Sequence, residues 1–368
     1  MPLKPAIHSS MLCIVVLCSC FWHAYSQTPA SQEASQANTI PPLYATAQRF
    51  MSAGDYANAI IVLQQIIQQY PDNQLYQQDL ATAYLMRKDY ARAEAVINGL
   101  LKSKSTTART YQIAAEIAEG QHEDKKAIRL LNEGIRQFPQ QGALYTQLGL
   151  LYFNEEKYRP ALLSWIKGIQ MAPNDPNNYY HAARTYYYTD DKVWTLLYGE
   201  IFINLESFSL RTAEIKGILF DTYKRLFASG ELSSVPLPVP GSRPANFREA
   251  FLQTLAKQVS VIDEGVTPET LTMLRIRFIL DWEKLFAADF PFALFDYQAD
   301  MIRSGVFEAY DQWLFGPAAS TAAFREWMNL HAQQLQRFLA YHQQHPLQLP
   351  DGQFYNDAQF HFQLNNQP

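Results

Sequence analysis

A step of 34 residues constrains this chain more than any other feature. Phe50, Tyr84, Tyr152 and Tyr186 stand at multiples of 34 from one another, and Ala59, Ala93, Ala127 and Ala161 keep the same step. Tyr56, Tyr90 and Tyr158 agree with it, and Pro71, Pro139 and Pro173 close three of the units. A unit of this length with small residues at fixed places is a helix pair that cannot bury its apolar face alone, so neighbours must stack into a solenoid. Alanine at the contact lets two helix axes approach, and the large residues three and four positions away fill the flanking gaps. An all-α solenoid of about five helix pairs follows, beginning near residue 40.

On these residues, the stretch from about 40 to 207 resembles the tetratricopeptide repeat (TPR) family. The fourth unit, GALYTQLGLLYFNEEKYRPALLSWIKGIQMAPN, matches best, with Leu148 and Gly149 where two helices approach, Tyr152, Tyr158 at the turn, Ala161 and Pro173. The first carries Ala47, Phe50, Gly54, Tyr56, Ala59 and Pro71. In the third, Ala118 and Asp124 replace two aromatics. The fifth fades after Ala182, Ala183 and Tyr186, because Thr195 stands where alanine is expected and Ser207 where proline is, which leaves its second helix open.

Beyond the repeats, Ile215, Ile218, Leu219, Tyr223, Leu226 and Phe227 recur at helical spacing before Gly230, as in a helix that covers the last repeat. The solenoid with this cap spans 40–230. Residues 231–245 hold a proline run, Pro236, Pro238, Pro240 and Pro244, which cannot continue a helix and reads as a linker. Residues 246–345 read as a second helical bundle of about five helices, of no recognised family. One opens at Thr267-Pro268-Glu269, and Phe290-Pro291 and Gly316-Pro317 divide the remainder into three. The tail, 346–368, is rich in Gln and Asn and reads as a loose strand or a segment without fixed structure.

At the other end, Lys4 precedes the apolar run Met11 to Trp22, and Ala24-Tyr25-Ser26 offers small residues for cleavage before Gln27. That pattern is a secretory signal over 1–26, followed by a polar, flexible tether over 27–39. Cys13, Cys18 and Cys20 all lie within the signal, so the processed chain would hold no disulfide, as suits a bacterial periplasm or cell surface. Leu17-Cys18-Ser19-Cys20 also reads as a lipidation site at Cys20, which would attach the chain to a membrane. Without residues 1–26 the chain has 29 basic and 35 acidic side chains. Its basic residues are thinly spread, which argues against nucleic acid as a partner.

Searches for chemistry return ordinary helix surfaces. Ser164-Trp165-Ile166-Lys167 has the Ser-x-x-Lys spacing without the companion motifs of penicillin-interacting enzymes. His331, His342 and His345 share one face of a continuous helix, where only the last two are close enough to share a metal. Asp296 and Asp300 lie one turn apart with Arg303 beside them, as on a solvated face. No catalytic residue, metal or cofactor is expected, and a hydrolase in the C-terminal helices is the weakest reading of the chain.

The TPR resemblance implies that the first helix of each pair lines a concave groove. On this chain that lining comprises Tyr44, Gln48, Met51, Gln78, Thr82, Leu85, Gln112, Glu116, Phe153, Asn154, Tyr180, Arg184 and Tyr187. Tyr44 and Gln48 stand where the carboxylate clamp of chaperone-binding TPR domains has Lys and Asn, which disfavours recognition of an acidic C-terminus. The expected function is a non-catalytic adaptor in the bacterial cell envelope that holds a peptide segment or helix of a protein partner, with aromatics as anchors and amides pairing to its backbone. Glycan capture at the outer membrane is the alternative.

Overall fold

The computed structural model describes residues 42–237 and 243–356. The expected signal, tether and lipidation at Cys20 lie outside them, as do part of the proline run and residues 357–368. Five helix pairs come first: α1 (Pro42–Ser52) with α2 (Tyr56–Gln69), α3 (Gln74–Met86) with α4 (Tyr90–Leu101), α5 (Ala108–Gly120) with α6 (Asp124–Gln137), α7 (Gly142–Asn154) with α8 (Tyr158–Met171), and α9 (Pro176–Tyr187) with α10 (Lys192–Leu205). The helix α11 (Leu210–Ala228) follows and packs on the last pair, as its apolar spacing predicts. Among the described residues every regular element is a helix.

The period is written into the backbone. Gly54, Lys88, His122 and Glu156, each 34 from the next, have φ of 73°, 60°, 62° and 61°. This left-handed residue turns the chain back after a first helix, so that the amide five positions beyond an earlier carbonyl can reach it. The bonds are Asp55 N to Phe50 O, Asp89 N to Tyr84 O, Glu123 N to Ala118 O and Lys157 N to Tyr152 O, at 2.8–2.9 Å. The turn therefore uses a carbonyl where the sequence shows an aromatic, and Ala118 serves as well as Tyr84.

Small residues make the close contacts. A Cβ on Gly149 would lie 2.1 Å from Trp165 Nε1, so α7 and α8 could not approach as they do. The indole nitrogen instead donates to Thr146 O at 3.2 Å. In the fifth pair the open second helix is present: α10 is buried along its length, with Thr195 fully inside where alanine was expected.

Six more helices follow: α12 (Phe247–Ala256), α13 (Pro268–Leu285), α14 (Ala293–Arg303), α15 (Phe307–Ala319), α16 (Thr321–Leu330) and α17 (Ala332–Gln344). Thr267 caps α13 through a capping box with Thr270. After Pro291 there are four helices where the sequence suggests three. Gly305, with φ 67°, separates α14 from α15, and Pro317 lies inside the last turns of α15. A proline there leaves the carbonyl four residues earlier without its helical donor. That carbonyl, Trp313 O, accepts from the buried Lys216 Nζ of α11 at 2.8 Å.

One apolar core runs from α8 through α11 into α12–α15, Phe338 and the segment after α17. The first three repeats, with α7 of the fourth, pack around two smaller cores. The last two repeats and the C-terminal helices therefore share an interior. Arg275 of α13 pairs inside it with Glu200 of α10 and Asp311 of α15, and Glu200 also accepts from Gln298 and the Tyr310 hydroxyl. Leu347 and Leu349 are buried, and Tyr355 stacks on Phe247 at 4.3 Å. Up to Asn356, then, the stretch read as loose is packed irregular chain.

Candidate binding cleft

Where the fourth and fifth repeats meet α11, a cleft of ≈ 720 Å³ opens. The ends of α7 and α9, the starts of α8 and α10, and Arg225 of α11 contribute to it. One wall is aromatic: Phe153 meets Tyr158 edge-on at 5.2 Å and lies 6.0 Å from Trp165. His181 continues that wall, stacked on Trp165 at 5.0 Å. Opposite stand Tyr187 and Tyr188, edge to face at 5.1 Å, with Tyr188 81% exposed.

The cationic side chains of the cleft already have partners. Arg184 pairs with Glu214 at 2.8 Å, and Arg225 pairs with Asp221 at 2.5 Å while donating to the Tyr187 hydroxyl. Lys192 donates to the carbonyls of Tyr187 and Thr189 at the end of α9, where a positive charge suits the helix dipole. Burial, with the positive charges of Arg184 and Arg211 adding to it, lowers His181 to about 4. Its imidazole is thus neutral, and neither ring nitrogen hydrogen-bonds to a described residue. The cleft offers aromatic faces, neutral hydrogen-bonding groups such as Asn154 and His181, and little uncompensated charge.

Four residues expected in the groove, Phe153, Asn154, Arg184 and Tyr187, come together here. The others are placed differently. Tyr44 is buried and donates to Asp79 at 2.7 Å, and Gln48 donates to the same oxygen. Arg109 reaches the other oxygen of Asp79, so this carboxylate ties the first three repeats together. Gln78 is buried against Thr107 and Thr110. Tyr180 donates to Glu214 at 2.6 Å beneath Arg184 and Arg211, while Gln112 is half-buried and receives Gln147 on its backbone oxygen. Glu116 lies outside the cleft, its carboxyl raised by desolvation within the curve of the repeats and by the charge of Glu119, with Arg109 opposing.

Sequence reasoning missed His181, Tyr188, Lys192 and Arg225 as lining. The run Tyr186-Tyr187-Tyr188 was the available signal, because three adjacent rings on a helix end cannot all face the core. The expected shared face for the histidines is not formed. His331 caps the break between α16 and α17, and His345 is exposed. His342 is buried, 2.6 Å from Ser207 Oγ and 2.8 Å from the Tyr297 hydroxyl. The Ser207 hydroxyl donates to Ile203 O, so this serine accepts from the imidazole and fastens α17 to the turn after α10. Ser164 likewise donates to Pro160 O, and Arg303 pairs with Asp300 and Glu283.

The fold is that of a helical-repeat protein with a cleft at its fourth and fifth repeats. Residues 50–117 match the family model described as tetratricopeptide repeat. Solved structures similar to the chain include PilF of Pseudomonas aeruginosa, 18% identical, covering 54% of this chain and 91% of that one with a TM-score of 0.41. A tetratricopeptide repeat protein from Parabacteroides merdae is 16% identical, covering 69% and 95%, with a TM-score of 0.37. YrrB, described as a TPR protein with an unusual peptide-binding site, is 15% identical, covering 48% and 90%, with a TM-score of 0.32. No curated protein matches the chain. Among the described residues, no helix is long and apolar enough to cross a membrane.

Proposed function

We propose that this chain is a non-catalytic scaffold of the bacterial cell envelope that holds a segment of a protein partner in the cleft between its fourth and fifth repeats. The observation that carries the reading is the cleft itself: exposed aromatic faces stand around a neutral imidazole, and the nearby arginines are held by their own carboxylates. Such a surface favours a segment with an aromatic or proline side chain and little charge, since rings supply contact area and leave backbone groups for hydrogen bonds. The envelope location rests on the signal-like residues 1–26.

The test is selection from a displayed library of random peptides, with the full chain and a Phe153→Ala/Tyr188→Ala variant as baits. Uncharged, aromatic- or proline-bearing peptides should enrich, and a synthesised one should bind the variant at least about tenfold more weakly. Enrichment of nothing, or equal binding by both chains, overturns the reading.

A further inference from the structure

The turn between α9 and α10 forms the rim of the cleft, and it is built unlike the four turns before it. The left-handed position that recurs at residues 54, 88, 122 and 156 is not repeated at Asp190. Nor does the amide of Asp191 reach back to Tyr186 O as its counterparts do. Instead it donates to Thr189 Oγ1 at 3.2 Å, and that hydroxyl donates to Tyr186 O at 2.7 Å. At this rim a side-chain hydroxyl thus stands in for the backbone bond that closes each of the earlier turns. The outermost of them comes from the C-terminal half: Arg248 of α12 pairs with Asp191 at 3.1 Å, each about one-fifth exposed. A partly sheltered pair holds position better than the exposed pairs on the repeats, because less water screens it.

We infer that Arg248 is a positioning residue for the cleft, and that the C-terminal helices act as a brace setting the rim Tyr188 to Lys192. Asn356 grips the same repeat, donating to the hydroxyls of Tyr186 and Tyr198, and α13 holds α10 through Arg275 and Glu200. The fifth repeat is therefore held on its outer side by three separate elements. That assigns residues 246–345 a role in recognition without contact to the ligand. The ligand part rests on the reading of the cleft as a peptide site; the control of the rim does not.

The experiment uses the full chain with Cys13, Cys18 and Cys20 replaced by serine and a nitroxide attached through Tyr188→Cys. In the Arg248→Ala background the label should become more mobile, and Arg248→Lys should restore most of its restraint. A peptide selected on the unmodified chain should bind the Arg248→Ala variant about threefold to tenfold more weakly in the absence of the label. Leu63→Ala, deep in the first repeat, should lower Tm yet leave both readouts unchanged, which separates positioning from general destabilisation. Should Arg248→Ala fail to fold, Asp191→Asn removes the same pair. A folded Arg248→Ala chain with an unmoved label overturns the inference even if peptide binding is intact. Label release in a chain for which no peptide can be selected supports the brace and removes the peptide reading.

Discussion

Gly149 and His181 are single positions whose effect is set by one neighbour, Trp165. With the indole nitrogen 2.1 Å from the site of an added Cβ, Gly149→Ala must push α7 from α8 or turn the indole off Thr146 O. The expected cost is about 1–3 kcal/mol, read as a lowered midpoint in chemical denaturation with unchanged slope. His181, stacked on that indole, is lowered to about 4, chiefly by burial. It therefore stays neutral across pH 5–8, and affinity for a cleft peptide should be flat over that range. A rise in affinity on protonation near pH 6.5, the ordinary histidine range, would show that the ring is solvated and charged when ligand binds.

The helix-closing turns carry the period further than the aromatics do, because a left-handed residue and a bonded carbonyl are required whatever the side chain. Lys88, His122 and Glu156 hold that conformation at φ 60–62°, which costs a residue with a Cβ roughly 1 kcal/mol. Glycine at each should raise Tm after its extra unfolded-state entropy is deducted. Thermal melts of the three single variants provide the check, with Glu156→Gly nearest the cleft. The fifth pair obeys different rules. Its second helix was open in the sequence because Thr195 and Ser207 break the pattern, yet α10 is among the most deeply buried elements, since α11 and the C-terminal helices cover it. Pro317 misleads in a related way: it marks a helix end by local preference, but Lys216 takes the carbonyl it frees and α15 continues.

Across the whole molecule, core continuity sets which parts unfold together. Repeats one to three rest on small cores, while α8 to α15 share one large interior. Hydrogen exchange should therefore be fastest in α1–α4 and slowest in α10, α13 and α15. Equal protection throughout would contradict this arrangement. Asp311 adds a pH signature to the shared interior. Burial pushes its carboxyl up to about 7, with Arg275 opposing and Glu200 adding. A carboxyl that binds its proton more tightly when folded supports the fold at low pH and loses that support as pH rises from roughly 4 to 7. The difference in Tm between the unmodified chain and Asp311→Asn should fall across that window; a constant difference would mean that Asp311 keeps its charge throughout.

The sequence by itself determined the solenoid, because a repeat's packing partners are its neighbours and the 34-residue step records which face of each helix they touch. Ala59, Ala93, Ala127 and Ala161 are all fully buried, as that step requires. The tertiary structure decided which groove residues are available. Tyr44, Gln48 and Gln78 have the chemistry of a binding surface, but each meets a polar group about thirty residues away and is used up in joining repeats. It also decided that the C-terminal helices belong with the last two repeats. The ion pairs Arg275 with Glu200 and Arg248 with Asp191 join residues 75 and 57 positions apart. No local pattern of spacing or propensity encodes separations of that size, since they depend on how complete helices come to rest against one another.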